Sequence, residues 1–280
     1  MHAFDQRDGA AIGVPTIALS SGAEVPVLGQ GTWRMAEHAA DGAAELEALR
    51  RGLDLGLTLI DTAEAYASGA SERLVGEAIE GRRDEVFLVT KVSPSHATRD
   101  GVIAACDGSL RRLRTDRIDL YLLHWPARVP LEETIDGFRT LVDAGKIVRW
   151  GVSNFDVPLL EDLLEVPGGS DVAANQVLYN LRRRGIERDL VPWCSERGIP
   201  IMAYTPLGDG GLLGDPTLAH VAQRHGATPA QVALAWVLRL DLMLAIPKAA
   251  RRSHVEENRR ALDIDLTDDD LSELGAAFPV

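Results

Sequence analysis

The chain of 280 residues has few cysteines and none of the segments that mark an exported or membrane protein. Its two cysteines, Cys106 and Cys194, form no C-x-x-C pair, so we expect no disulfide framework and a reducing compartment. The first residues lack the basic start and apolar run of a signal peptide. The longest apolar region, residues 232–246, is interrupted by Arg239 and Asp241 and is not expected to span a bilayer. These absences predict a cytoplasmic protein that does not enter a membrane.

Positive charge is also scarce. Lys and Arg number 29 against 42 Asp and Glu, which gives a formal net charge of −13 at pH 7. An acidic chain of this kind disfavours nucleic acid and anionic membranes as partners. One basic cluster, formed by Lys248, Arg251 and Arg252, interrupts the acidic background. On charge alone, this cluster fits a solvated loop as well as it fits a site for a small anion.

The remaining composition is that of an ordinary globular protein, with 46% hydrophobic and 25% charged residues. Residues 1–15 look like a loose extension, and residues 16–280 are predicted to form one domain. Residues 16–19 and 24–26, joined by residues 20–23, predict a short β-hairpin at the start of that domain.

After the hairpin, short apolar runs alternate with segments of helical periodicity about eight times, without a linker. The runs lack the polar alternation of a strand with one wet face, which favours a parallel sheet covered on both sides. The count predicts an α/β fold, a closed (β/α)₈ TIM barrel with a short N-terminal β-hairpin, and not an open doubly wound sheet. The predicted strands are residues 27–30, 59–61, 86–91, 118–124, 147–153, 172–176, 201–204 and 243–246.

Polar or ionisable residues stand at the ends of most of these runs. Buried charges are costly unless they are paired, so such endings are hard to explain as core. Functional groups of a (β/α)₈ barrel lie at the carboxyl ends of its strands. The endings therefore predict a site at that face of the barrel. They are Asp61, Lys91, His124, Ser153, Asn154, Gln176, Tyr204 and Lys248.

Three of these residues and a nearby tyrosine have the chemistry for reducing a carbonyl group. A carbonyl that receives a hydride needs a proton on its oxygen, and the phenol of Tyr66 can donate it when a cation lowers its pKa. Lys91 can be that cation, with Asp61 orienting it. His124 can donate a hydrogen bond to the carbonyl oxygen and fix the substrate.

Each of the four residues also has a structural interpretation. Tyr66 alone could be an amphipathic surface residue, Asp61 could cap the next segment, and His124 could be a satisfied core histidine. Lys91 is harder to explain in this way, because lysine is almost never fully buried unless it is paired. The four together are far more specific than any one of them.

The sequence resembles the aldo-keto reductase family from about Leu19 to the C-terminus. The likeness begins with Asp61-Thr62-Ala63-Glu64-Ala65-Tyr66 and the strand that ends in Lys91. It continues, in the same order and spacing, through residues 120–126, 145–147, 150–155, 175–177, 203–207 and 246–248. The resemblance implies that Asp61, Tyr66, Lys91 and His124 form a catalytic tetrad. The chain is similar to a bacterial subgroup that includes methylglyoxal reductases, which implies small aldehydes or ketones, including 2-oxoaldehydes, as substrates.

The resemblance also implies a nicotinamide cofactor at the same face. The chain departs from the family at two positions. Ala249 stands where the family often has Ser or Thr, and His254 stands where it often has Arg. Both differences weaken the prediction of a 2′-phosphate contact, although Arg251 or Arg252 could take the place of the missing Arg. NADPH is predicted, with NADH as the alternative. The implied cofactor contacts are Gly31, Thr32, Trp33, Ser153, Asn154, Gln176, Tyr204, Thr205, Leu207, Gly208, Leu212, Ile246, Lys248, Ala249, Arg251, His254, Glu257 and Asn258.

Substrate contacts are predicted at Trp33, Tyr66, His124 and Trp125, although either tryptophan could be ordinary packing. No metal is predicted, because His220 and His225 are poorly spaced for a shared ion and no H-E-x-x-H occurs.

Two other functional classes stay open. One is a cofactor-binding redox sensor or regulatory subunit with little turnover, and the other is a metal-dependent barrel hydrolase. The expected partner is a small carbonyl substrate, and the expected state is a monomer or weak homo-oligomer.

Overall fold

The computed structural model describes residues 13–19, 22–208 and 211–280. Most of the predicted N-terminal extension, and Ser20 and Ser21 of the predicted hairpin turn, lie outside the described residues. Residues 13–15 have no regular secondary structure and lead directly into the first strand.

A short antiparallel hairpin precedes the barrel. Its strands β1 (Thr16–Ala18) and β2 (Glu24–Pro26) place Ile17 opposite Val25. Both side chains belong to the same apolar cluster as Leu59 and Leu120, the first residues of two barrel strands. The hairpin therefore covers the amino-terminal end of the barrel and leaves the carboxyl end open for the site.

Within the described residues, eight parallel strands pair in chain order. They are β3 (Gln30–Gly31), β4 (Leu59–Asp61), β5 (Phe87–Val92), β6 (Leu120–Leu123), β7 (Trp150–Ser153), β8 (Asn175–Leu178), β9 (Ile201–Tyr204) and β10 (Met243–Ala245). Parallel bridges from Leu28 to Ala245 and from Gly31 to Lys248 close the sheet on itself. A Cβ atom on Gly31 would lie 2.5 Å from the Ile246 carbonyl oxygen, so this close approach requires glycine.

Ten α-helices surround the barrel in the described part of the chain. They are α1 (Gly42–Asp54), α2 (Ala70–Ala78), α3 (Arg99–Leu113), α4 (Leu131–Asp143), α5 (Val157–Glu165), α6 (Leu190–Glu196), α7 (Pro216–Arg224), α8 (Pro229–Val237), α9 (Arg252–Arg259) and α10 (Asp268–Ala277). Short 3₁₀ segments lie at Tyr66–Gly69, Arg83–Glu85, Pro94–His96, Gly169–Asp171, Gly185–Glu187 and Arg260–Asp263. None of the helices among these residues is long and apolar enough to cross a membrane.

Side chains of the barrel strands alternate between two apolar layers, as the twofold repeat of a strand requires. In β5, Leu88 packs outward in the large cluster between strands and helices, whereas Val89 points into the barrel with Leu122 and Met202. The predicted (β/α)₈ barrel with its N-terminal hairpin is confirmed. One boundary differs in a way that matters for the site: β8 continues past Gln176, so Gln176 lies within the strand.

Candidate active site

The carboxyl ends of three neighbouring strands bring the four predicted catalytic residues together. Asp61 is the last residue of β4, Lys91 the penultimate residue of β5, and His124 directly follows β6. Tyr66 opens the 3₁₀ segment that follows β4. Because adjacent parallel strands end at the same edge, residues far apart in sequence converge here.

Lys91 and Asp61 form a buried ion pair at the centre of the site. The Lys91 Nζ atom donates to both carboxylate oxygens of Asp61, at 2.8 and 2.7 Å, and to the Thr62 carbonyl oxygen at 2.9 Å. The Lys91 side chain is 0% exposed and that of Asp61 is 3% exposed. Burial alone would lower the pKa of Lys91, but the Asp61 carboxylate and Tyr66 hold it above its ordinary value, so the ammonium stays charged.

The Tyr66 hydroxyl lies beside this ion pair, 3.2 Å from Lys91 Nζ. Its ring meets the His124 ring edge to face, with centroids 5.7 Å apart. The expectation that Lys91 lowers the tyrosine pKa holds only in part. Burial raises the pKa of Tyr66 above its ordinary value, and Lys91 opposes that rise without reversing it. Tyr66 therefore carries its proton at neutral pH, as a proton donor must.

His124 has a strongly lowered pKa. Burial and, to a lesser extent, the charge of Lys91 lower its pKa to about 3. The imidazole is thus neutral at physiological pH and offers one N–H donor and one acceptor nitrogen. Such a ring can donate a hydrogen bond to a carbonyl oxygen without adding a second positive charge beside Lys91.

The backbone just after Tyr66 adopts a left-handed turn. Ala67 and Ser68 have φ values of 45° and 51°, and neither is a glycine. The left-handed region disfavours such residues by roughly 1–2 kcal/mol each. The turn is followed by Ser71, whose hydroxyl donates to Thr32 Oγ1 at 2.8 Å in a fully buried environment. Strained backbone held by buried polar contacts is typical of functional sites.

A second polar cluster occupies the next strand ends. The Gln176 side-chain amide donates to Asp61 Oδ1 at 2.8 Å, and Ser153 Oγ donates to the Gln176 backbone carbonyl oxygen at 2.8 Å. Asn154, held at φ 64°, donates to Ser153 Oγ at 3.0 Å and accepts from the Tyr204 hydroxyl at 2.9 Å. These contacts fix the two amides and the tyrosine ring relative to the ion pair.

A cavity of about 760 Å³ opens over both clusters. Trp33 and Trp125 stand on its wall with 50% and 49% of their surface exposed, so neither is an ordinary packing residue. The cavity is lined by Gly31, Trp33, Arg34, Asp61, Ala65, Tyr66, His124, Trp125, Ser153, Asn154, Gln176, Tyr204, Thr205, Pro206, Leu207, Gly208, Ile246, Pro247 and Lys248.

Most of the predicted contacts line this cavity, but several lie behind it. Thr32 is fully buried and donates to the Asp61 carbonyl oxygen at 3.0 Å. Leu212 is buried against Gly208, and Ala249 is also buried. Conversely, Arg34 lines the cavity, with its guanidinium 4.4 Å from the Trp33 ring centroid, and sequence reasoning missed it. Its position directly after Trp33 was the available signal.

The basic cluster predicted from sequence divides into free and paired cations. In the described part of the chain, neither Lys248 nor Arg251 forms an ion pair. Arg252 instead contacts Glu256 at 3.1 Å. His254 is exposed on α9, and Asn258 is buried on the same helix.

Glu257, a predicted cofactor contact, accepts a hydrogen bond from the Thr228 hydroxyl at the start of α8. No group of three or more His, Cys, Asp or Glu side chains suited to a metal occurs among the described residues.

Comparison with known proteins identifies the class to which this barrel and site belong. The model of the Aldo/keto reductase family matches residues 27–277, which include all eight barrel strands described above. The chain belongs to this family. The predicted fold, family and reductase class are confirmed.

Individual relatives are similar over nearly the whole chain. Methylglyoxal reductase YeaE of Escherichia coli strain K12 is 48% identical over 268 residues, which cover 94% of each protein. The crystal structure of an aldo/keto reductase from Klebsiella pneumoniae in complex with NADP and acetate has a TM-score of 0.92 at 49% identity, covering 94% of this chain and 95% of that one. A second structure from that organism, in complex with NADPH, has a TM-score of 0.92 at 48% identity and covers 95% of each chain.

Proposed function

We propose that this protein uses NADPH to reduce the carbonyl group of small aldehydes or ketones to alcohols, 2-oxoaldehydes such as methylglyoxal among them. The observation that carries the proposal is the protonated Tyr66 hydroxyl, held 3.2 Å from the buried Lys91 ammonium and facing an open cavity. The similarity to a methylglyoxal reductase and to NADP-bound structures supports the substrate and the cofactor.

The cavity fits a nicotinamide cofactor. Its volume of about 760 Å³ lies within the range of ligand pockets, and its floor combines an aromatic ring, Tyr204, with two fixed amides, Asn154 and Gln176. The ring offers a stacking surface, and the amides together with Ser153 would hold the carboxamide. When bound, the reduced nicotinamide supplies the hydride for the carbonyl carbon. Lys248, which also lines the cavity, would meet the 2′-phosphate of the cofactor.

The tetrad residues then have distinct roles. His124 donates a hydrogen bond to the substrate oxygen and fixes the carbonyl beside Tyr66. As the carbonyl carbon gains the hydride, the Tyr66 O–H bond breaks and its proton moves to the carbonyl oxygen, which completes the alcohol. Lys91 stabilises the tyrosinate that remains, and Asp61 keeps Lys91 charged and oriented. Solvent returns the proton to Tyr66. Trp33 and Trp125 supply the apolar wall against which the substrate packs.

The central experiment follows NADPH absorbance with methylglyoxal or a nitrobenzaldehyde in the wild type and in Tyr66→Phe. We expect kcat to fall by about 10²–10⁴-fold in the variant, because general acid catalysis contributes that much. Cofactor affinity, measured by fluorescence titration, should stay within about twofold, since a single hydroxyl is lost at the substrate end. A wild type that binds NADPH but turns over none of the aldehydes would favour the sensor function instead.

The preference for NADPH over NADH is assigned to Lys248 and Arg251, because Arg252 is already paired with Glu256. We expect Lys248→Ala or Arg251→Ala to raise the KM for NADPH by about 10- to 100-fold, because the loss of one hydrogen bond to a charged group weakens binding by about that factor. The KM for NADH should stay unchanged. Arg252→Ala is the matched control. If both cofactors weaken equally in Arg251→Ala, this residue does not read the 2′-phosphate.

Location and assembly remain part of the proposal. We propose a cytoplasmic protein that acts as a monomer or weak homo-oligomer, with no nucleic-acid partner. Fractionation of cells that express the natural gene tests the location, and light scattering across a concentration series tests the assembly. A stable oligomer at nanomolar concentration contradicts the second prediction.

A further inference from the structure

The carboxylate of Glu64 connects the two loops that follow β4 and β5. Its Oε1 atom accepts a hydrogen bond from the Ser93 backbone N–H at 2.7 Å and lies 2.9 Å from Nδ1 of His96. The Glu64 side chain is only 10% exposed, whereas that of His96 is 51% exposed. The inner contact, to Ser93, is therefore largely shielded from water, and shielding strengthens a hydrogen bond to a charged acceptor.

The position of Glu64 in the chain places this connection beside the reactive groups. Glu64 stands two residues before Tyr66, and Ser93 stands two residues after Lys91. The backbone N–H of Glu64 also donates to the Lys91 carbonyl oxygen at 3.3 Å. The loop that carries Tyr66 is thus tied to the strand end that carries Lys91 by both the backbone and the side chain of one residue.

The backbone conformation after Tyr66 is not one that its residues prefer, so it does not by itself hold the Tyr66 hydroxyl near Lys91. Ala67 and Ser68 hold left-handed conformations that non-glycine residues avoid. The contact between the Tyr66 hydroxyl and Lys91 Nζ is 3.2 Å long, at the outer end of the hydrogen-bond range, so a small displacement breaks it. A tether immediately before Tyr66 therefore restrains the loop on the other side of the turn from the Ser71 contact.

We propose that Glu64 is a positioning residue for the proposed reduction, acting through Tyr66 by setting its distance from Lys91. The inference rests on the proposed function. Glu64 is not among the described residues that line the cavity, so it does not touch substrate or cofactor. Its effect is expected on kcat and not on cofactor binding.

The main test compares three substitutions that remove different parts of the tether. Glu64→Ala removes both contacts and should lower kcat by about 10- to 100-fold, because a misplacement near 1 Å has effects of that size. Glu64→Gln keeps a carbonyl oxygen for the Ser93 N–H and should retain kcat within about threefold of wild type. His96→Ala keeps the inner contact and should do the same. In all three, the Kd of NADPH from fluorescence titration should change by less than about twofold, since none of the changes reaches the cavity.

Two further variants separate positioning from general loosening of the loop. Ser93 has φ −69°, which proline adopts, so Ser93→Pro deletes the donor N–H without altering Glu64 and should lower kcat as Glu64→Ala does. Thr98→Ala is the matched control. It removes the N-cap of α3 on the same loop, where Thr98 Oγ1 accepts from the Gly101 N–H at 3.2 Å, and should leave kcat unchanged.

The outcomes distinguish this inference from the proposed function. If the wild type reduces aldehydes and Tyr66→Phe does not, but Glu64→Ala and Ser93→Pro keep wild-type kcat, the positioning role is overturned and the function stands. A loss in Thr98→Ala as large as that in Glu64→Ala, or a matching rise in the Kd of NADPH, also overturns it. If Glu64→Ala does not fold, the comparison of Ser93→Pro with Glu64→Gln decides. If the wild type has no turnover, the function fails and the inference fails with it.

Discussion

Two ion pairs with a fully buried member lie side by side in this barrel and serve different ends. The Lys91 ammonium meets Asp61 inside the barrel at 2.7 Å, with both side chains almost completely buried. Arg112 of α3 meets Glu72 of α2 outside the barrel at 2.5 Å, with Glu72 at 0% exposure. Asp61 of the first pair lines the cavity beside Tyr66, whereas neither member of the second pair is among the described residues that line it. A buried charge therefore indicates chemistry only where it has access to a cavity that a ligand can enter.

The comparison is tested most strongly by removing the cation of the inner pair. Lys91→Met should lower kcat by about 10²–10⁴-fold, because Tyr66 then loses the charge that opposes the effect of burial on its pKa. Steady-state kinetics with NADPH and an aldehyde measure the effect, and fluorescence titration checks that the cofactor still binds. A variant that keeps more than about a tenth of wild-type kcat would contradict the role given to the inner pair.

Removing the cation of the outer pair should act on stability and leave turnover largely unchanged. Arg112→Met leaves the Glu72 carboxylate buried without its partner, which is expected to lower the free energy of unfolding by about 3–5 kcal/mol. At temperatures below the transition, kcat should stay within about threefold of wild type, because Arg112 does not line the cavity. Urea titration and kinetics on the same preparation measure both quantities.

The neighbouring residue provides a control for the outer pair. Arg111 is exposed on the same helix, and Arg111→Met should change the free energy of unfolding by less than about 0.5 kcal/mol. If Arg112→Met loses activity in proportion to Lys91→Met, the two pairs are not functionally distinct.

The same contrast explains what could be predicted from the sequence. Lys91 and Asp61 end apolar runs, so their burial and their position at the carboxyl face followed from the barrel alone. Glu72 lies in an amphipathic helix, where a glutamate normally faces water, and its partner Arg112 is 40 residues away. The pattern around Glu72 gave no sign of burial, because tertiary packing and not periodicity places it inside.

The local backbone conformation after Tyr66 could not be predicted from the sequence either. The left-handed residues Ala67 and Ser68 carry no glycine or asparagine signal, since the surrounding contacts impose their conformation. Glu64 belongs to the motif of residues 61–66, but its contacts with Ser93 and His96 depend on two loops meeting in space. Strand order was predictable, and the carboxyl ends of the strands were predictable to within two residues, whereas side-chain contacts between loops were not.

A pH experiment extends the comparison to His124, whose pKa is lowered to about 3 by burial and by Lys91. Its ordinary value is near 6.5, so between those values the unfolded chain binds a proton that the folded one does not. Stability should therefore be lost as the pH falls from about 6.5 towards 3, by at most about 1.4 kcal/mol per pH unit.

His124→Gln should lack this loss of stability at low pH. The contribution of His124 is the difference in the free energy of unfolding between wild type and variant, measured by urea titration at pH 7, 6 and 5. Lys91→Met should weaken it, since the ammonium contributes to lowering the pKa of His124, while Arg112→Met should leave it intact. Equal pH dependence in wild type and His124→Gln would show that His124 is not the group that titrates.

A further test uses Thr90, which precedes Lys91 in β5 and contacts the outer pair. Its hydroxyl donates to Glu72 Oε1 at 2.7 Å on the outer face, while the next residue, Lys91, points into the barrel, because successive side chains of a strand lie on opposite faces. Thr90→Val keeps the shape and removes the hydroxyl, so the free energy of unfolding should fall by about 1–3 kcal/mol. The value of kcat should stay within about twofold, since the strand backbone that places Lys91 is unchanged. If kcat instead falls as far as in Lys91→Met, the two pairs act as one network through β5, and their separation into a reactive and a structural pair is wrong.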